Sequence, residues 1–225
     1  YDAVINCIGV LNKDAENNPS KAVYLNSYLP HLIADTLKAT PTKLIHMSTD
    51  CVFKGNSGPY YENSLCDGET FYDRTKALGE VNDKKNLTFR NSIIGPDINK
   101  NGIGLFNWFM KQKGTINGYT GAIWTGVTTL TLAKAMEKAI EEDLCGLYNL
   151  VNNENISKFY LLELFNKNFR NKKIIINVDK GLQLDKSLRN TRDDFKFKVP
   201  SYRQMILEIN EWVEIHRHIY PHYNS

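Results

Sequence analysis

The chain has 225 residues, 42% of them hydrophobic, enough for one sizeable core or a core with a smaller lobe. A formal net charge of +3 supplies no broad basic field for a nucleic-acid backbone, and neither a run long enough to span a membrane nor a signal-peptide pattern stands in these residues. Cys7, Cys51, Cys66 and Cys145 are too scattered for a zinc site or a disulfide framework, so no metal is expected and a reducing cytoplasm fits.

Asp2 to Gly9 is a short apolar run ending in glycine, which predicts a buried parallel strand. A polar loop to Ser20 follows. Ala22 to Ala39 carries helical apolar spacing, with Pro30 expected to bend or interrupt the helix. Lys43 to Ser48 reads as the next buried strand. Lys54 to Glu69 is a Gly-, Asn- and Ser-rich loop, long enough to suspect function. Thr70 to about Asp83 predicts a helix, and Leu87 to Ile94 a strand ending at Gly95-Pro96. This alternation reads as a doubly wound parallel α/β sheet, whose ligands sit beyond the C-terminal strand ends. Gly9, Ser48 to Asp50 and Asn91 to Gly95 all fall there.

The second half is patterned differently. Helices are predicted over 105–111, 130–142, 157–169 with Ser157 as N-cap, and 205–216; strands over 147–151 and 173–178. Thr115 to Val127 shows turn signals around aromatics. Residues 1–100 are thus expected to form part of a dinucleotide-binding domain. Residues 101–225 are expected to form mainly a smaller mixed α/β substrate lobe, with some segments returning to the sheet. Gly102 and Gly104 read as a flexible turn. His216, His218 and His222 fit a frayed polar end better than a metal site, and His46 reads as structural.

The chemistry concentrates between Ile45 and Glu80. The hydroxyls of Ser48 and Thr49 end an apolar run, and Tyr72 and Lys76 stand four apart, on one face of a helix. An ammonium beside a phenol lowers the phenol's pKa and makes it usable for proton transfer. Thr49 is placed to hydrogen-bond the same substrate oxygen. Interconversion of an alcohol and a ketone against a nicotinamide needs such a trio. On its own the Tyr-x-x-x-Lys spacing also fits a solvated helix face.

Ser48-Thr49-Asp50-Cys51-Val52-Phe53-Lys54-Gly55 followed by Tyr72-x-x-x-Lys76 resembles the extended short-chain dehydrogenase/reductase superfamily, and within it the dTDP-4-dehydrorhamnose reductase branch. The resemblance runs from Asp2 to about Trp212 and is most specific up to Gly95. It implies a Rossmann-like fold and NADPH- or NADH-dependent reduction of the 4-keto group of a nucleotide-activated deoxysugar, in surface polysaccharide precursor synthesis. It implies Thr49, Tyr72 and Lys76 as the catalytic set. Asn6, Cys7, Ile8, Gly9, Ser48, Asn91 and Ser92, with Tyr72 and Lys76, are implied to meet NADP or NAD. Asp50, Val52, Ile93, Tyr119 and Trp124 are the expected sugar-nucleotide contacts, and a homodimer is the expected assembly. Asn26 fits either a proton relay or a local bond. Tyr119 and Trp124 fit either a pocket or ordinary core. Arg189 and Arg192 are weaker candidates for a diphosphate.

Two departures from the branch matter. Ile93 stands where the branch often has a tryptophan, which leaves the sugar open. The Gly-x-x-Gly-x-x-Gly loop that holds the cofactor pyrophosphate is not among these residues, so tight dinucleotide binding by this chain alone is not expected. Two rival readings remain. One is an epimerase or dehydratase of nucleotide sugars, though a dehydratase would want an acidic pair where Thr49-Asp50 offers one carboxylate. The other is a non-catalytic NADP-binding regulatory subunit.

Overall fold

The computed structural model describes residues 1–223. Four parallel strands form its central sheet. In chain order these are β1 (Ala3–Asn6), β2 (Lys43–Ser48), β3 (Leu87–Arg90) and β8 (Gly146–Asn149), adjacent in that sequence. Ile45 and Phe89, on neighbouring strands, are fully buried, as expected for a sheet covered on both faces. The paired termini of β1, β2 and β3 bring Asn6 opposite His46, and Ser48 opposite Arg90.

The segment after β1 is not the expected loop. It contains a short helix, α1 (Asn12–Asn17), whose apolar signal is a single buried Ala15. Next comes a helix read as α2 (Pro19–Ala22), a π turn (Val23–Tyr28) and α3 (Leu29–Leu37). Pro30 has no N–H to give the Asn26 carbonyl, and its ring would crowd that oxygen in a regular α-helix. The wide turn relieves this, with Leu29 N–H reaching back five residues to the Tyr24 carbonyl. The proline is thus absorbed without ending the helix.

α4 (Phe71–Leu78) starts at a capping box, in which Asp73 N–H donates to Thr70 Oγ1 at 3.1 Å and Thr70 N–H to Asp73 Oδ2 at 3.2 Å. It ends at Leu78, five residues earlier than Asp83, with Gly79 as its C-cap. A Cβ on Gly79 would overlap the Asn26 carbonyl oxygen in the π turn. Gly79→Ala is therefore expected to lower unfolding stability by about 1–3 kcal/mol, read from urea denaturation, because that oxygen belongs to backbone that cannot rotate away.

The predicted strand over 87–94 is broken at Asn91. β4 (Ser92–Ile94) leaves the central sheet and pairs in parallel with β7 (Gly126–Thr128). In the lobe, α5 (Leu105–Met110) precedes β5 (Thr115–Tyr119) and β6 (Ala122–Trp124), so the aromatic stretch expected as turns is largely strand. Asn117-Gly118 lies inside β5, where a Cβ on Gly118 would sit 2.9 Å from the Phe159 ring. That glycine serves close approach of a helix, not a turn. α6 (Thr129–Glu141) leads to β8. β9 (Ile156–Ser157) and α7 (Lys158–Phe169) follow, with Ser157 Oγ capping Tyr160 N–H at 3.2 Å. β10 (Ile175–Asp179) pairs with β5, β11 (Leu184–Asp185) with β6, and α8 (Tyr202–Ile215) closes against α7. One continuous core joins Ile45 and Phe89 of the sheet to Phe106, Phe165 and Ile209 of these helices. The C-terminal stretch is not frayed up to Tyr223, whose ring packs edge-on against Phe106 and whose hydroxyl donates to Asn107 Oδ1 at 3.0 Å.

Candidate active site

A cleft of about 400 Å³ opens at the C-terminal ends of β1 and β2. Its walls are Cys7 to Gly9, Met47 to Cys51, Tyr72 and Lys76 of α4, and Asn91 to Ile93. A larger depression of about 660 Å³ lies between Phe169–Lys173 and Glu214–Tyr223, remote from this cleft and without its hydroxyls.

The sequence positions these groups by strand ends and one cap. β2 ends at Ser48, and Thr49 then caps a single 3-10 turn (Asp50–Val52) by accepting Cys51 N–H at 3.1 Å. The Thr49 hydroxyl donates to Asp50 Oδ1 at 3.1 Å. The capping box starts α4 early enough that Tyr72 and Lys76 fall one turn apart, both buried. α4 is held against the π turn by Asn26, whose amide donates to Thr75 Oγ1 at 3.1 Å. The same amide exchanges two hydrogen bonds with the Val10 backbone, at 2.8 and 2.9 Å. Asn26 thus fixes the strand-end loop that carries Gly9.

The electrostatics differ from the expectation in one respect. Burial raises the Tyr72 phenol above its ordinary pKa, and the Thr49 hydroxyl beside it pulls only partly the other way. Lys76 does not depress it. Its ammonium nitrogen donates instead to the Met47 carbonyl at 2.5 Å and lies 3.4 Å from His46 Nε2. Burial brings Lys76 down to about 8. Burial also raises the Asp50 carboxyl, against hydrogen bonds from Ser92 and Thr49. The thiols lining the cleft are no nucleophiles at neutral pH: burial pushes Cys51 up to about 12 and also raises Cys7.

His46 is fully buried, and burial with the neighbouring Lys76 charge lowers its pKa to about 3. The unfolded chain takes up a proton near 6.5 that the folded chain refuses. Stability from this group is therefore present above pH 6.5 and lost as pH falls toward 3. Chemical denaturation at stepped pH is expected to show this slope, and His46→Phe is expected to flatten it.

Several expected contacts are placed elsewhere. Val52 is fully buried with Phe53, Tyr60, Val151 and Leu188, facing away from the cleft. Trp124 is core, its ring 5.7 Å from Tyr202. Tyr119 is half-exposed at the end of β5 and does not line the cleft. Arg192 is tied to Asp194 and to the Cys145 and Leu147 carbonyls, and Arg189 to Asn155. Ile93 is half-exposed at the cleft rim, and Asn6 stands just behind it, bonded to His46. Sequence reasoning missed His46, Met47 and Cys51 as neighbours of the trio. Period-two alternation along β2 could have found His46, which shares a strand face with Ser48.

The RmlD substrate-binding domain profile matches residues 1–209. A dTDP-4-dehydrorhamnose reductase of Salmonella typhimurium is 31% identical over 162 residues, covering 67% of this chain and 54% of that protein. One from Streptomyces griseus is 37% identical over 79 residues, covering 34% of this chain and 26% of that protein. The chain thus spans about half, or less, of the length of these relatives. Among solved structures, the Bacillus anthracis dTDP-4-dehydrorhamnose reductase in complex with NADP superposes with a TM-score of 0.79 at 19% identity, over 95% of this chain and 80% of that one. A dTDP-glucose 4,6-dehydratase of the same species, in complex with NAD, gives 0.70 at 16% identity, over 96% and 74%. These structures show the shared Rossmann-like fold. The match over 209 of the 225 residues decides the family: this chain belongs to the RmlD substrate-binding domain family of extended short-chain dehydrogenase/reductase proteins.

Proposed function

We propose that this protein reduces the 4-keto group of a nucleotide-activated deoxysugar, using NADPH or NADH. The observation that carries the reading is the meeting of Thr49, Tyr72 and Lys76 in one cleft beyond the ends of parallel strands. The residues present fit the nicotinamide end of the cofactor. Asn91 Oδ1 is buried in the cleft wall without a hydrogen-bond partner, and a carboxamide N–H is the kind of donor it lacks. Cys7 to Gly9, Ser48 and Ser92 line the same cleft, with Asn6 just behind.

A nicotinamide held against that wall would supply the hydride. Tyr72 holds the proton. Its raised pKa keeps the phenol protonated at neutral pH, as a donor to a nascent alkoxide must be. Thr49 turns its hydroxyl from Asp50 to the substrate oxygen and orients it. Lys76, one turn along α4 and bonded to the Met47 carbonyl, would meet the cofactor ribose. Asp50 inside the cleft and Ile93 at its rim meet the sugar. The same reading places the protein in the cytoplasm as a homodimer. Among the described residues no helix is long and apolar enough to cross a membrane.

The test is oxidation of NADPH by the full-length protein, followed at the nicotinamide absorbance, with a panel of 4-keto nucleotide sugars. Turnover on one member is the expected result. Cofactor binding without turnover on any would instead favour a regulatory subunit.

A further inference from the structure

We propose that His46 is a positioning residue that sets the charge of Lys76, through a ring tautomer fixed by Asn6. Ile8 N–H donates to Asn6 Oδ1 at 3.1 Å, which settles which end of that amide is oxygen. Its nitrogen therefore faces His46 Nδ1, at 3.2 Å, and donates to it. A ring nitrogen that accepts carries no proton, so the proton of neutral His46 sits on Nε2. Nε2 lies 3.4 Å from Lys76 Nζ. An N–H aimed at an ammonium opposes two donors; aimed at a neutral amine it is a hydrogen bond.

His46 therefore favours the amine. Protonating the ring offers no escape, because it is fully buried and Nδ1 already faces a donor. Other charges act on the pair. Glu80, beyond the end of α4, and Cys7, beyond the end of β1, favour the ammonium on Lys76. His31 of α3 favours a neutral His46. Tyr72, Cys51 and Asp50 line the same cleft and act on one another. The balance leaves Lys76 near its own midpoint at about 8, so its charge responds to what enters the cleft. An anionic ligand arriving there draws a proton onto the amine.

The inference rests on the reductase reading for its use, not for its test. The test is an NMR titration of the ¹³C,¹⁵N-labelled chain without nicotinamide or sugar, with Lys76 assigned by the signal lost in Lys76→Arg. His46 is expected to show protonated Nε2 and bare Nδ1 from pH 6 to 9, and Lys76 a midpoint near 8. Asn6→Asp puts an acceptor against Nδ1. It is expected to reverse the tautomer and raise the Lys76 midpoint by about one unit or more. Tautomer reversal separates this from the effect of an added charge alone. An Nδ1–H tautomer in the unmodified chain, an ordinary lysine midpoint of about 10.4, or an unreversed tautomer in Asn6→Asp would each overturn the proposal. If Asn6→Asp does not fold, the unmodified chain's tautomer and midpoint decide. Failure to turn over any sugar would sink the reductase reading and leave this result standing.

Discussion

Replacing Arg90 with alanine is expected to cost about 3–5 kcal/mol of unfolding free energy, the range for breaking a buried ion pair from one side. Arg90 is 1% exposed. Its Nε and Nη2 grip both oxygens of Glu80 at 2.9 and 2.6 Å, and its guanidinium lies 4.9 Å from the centre of the Phe53 ring. Ser48 Oγ adds a third donor to Glu80 at 2.6 Å. Removing Arg90 leaves the carboxylate buried with that hydroxyl and the weak Cys66 thiol donor at 4.0 Å. Arg90→Met combined with Glu80→Leu is expected to cost far less than the two single changes together, because no charge is stranded. Urea unfolding of the four proteins checks both statements. A single-mutant loss under about 1 kcal/mol would show that the pair is solvated in solution.

The second large effect is on chemistry. Tyr72→Phe removes the only phenol lining the cleft and is expected to reduce turnover by about 10²–10⁴, the usual contribution of a positioned general acid. Cofactor affinity and unfolding midpoint should change little, since the ring remains to pack with Val10, Ala15 and Ala22. A fall in kcat with KM unaltered would locate the phenol's role in the transition state. Retention of full turnover would remove Tyr72 from the mechanism.

The sequence made the parallel alternation of the first half readable because β1 and β2 carry short apolar runs, Ala3-Val4-Ile5 and Leu44-Ile45, bounded by polar segments. It hid α1, which buries one alanine, and it hid β5, whose Gly118 mimics a turn while serving contact with α7, together with the three-residue β6. Thr49, Tyr72 and Lys76 were legible from spacing and resemblance. Val52 and Trp124 were misplaced because an apolar side chain beside a motif carries no sign of which side of the backbone it takes. The partner of Lys76 was illegible for a different reason. Spacing within a helix pointed to Tyr72, whereas pairing between strands at the sheet's edge supplies His46 and the Met47 carbonyl.

Asn91 divides one extended stretch between two sheets, with Arg90 bonded into the central one and Ser92 into the β4–β7 pair. Ser92 and Ile93 therefore reach the cleft wall from the β4–β7 pair, whereas Ser48 and Thr49 reach it from the end of the central sheet. One extended stretch thus stitches the two sheets together at the cleft mouth, so that a change in how β4 and β7 pair is felt in the cleft wall.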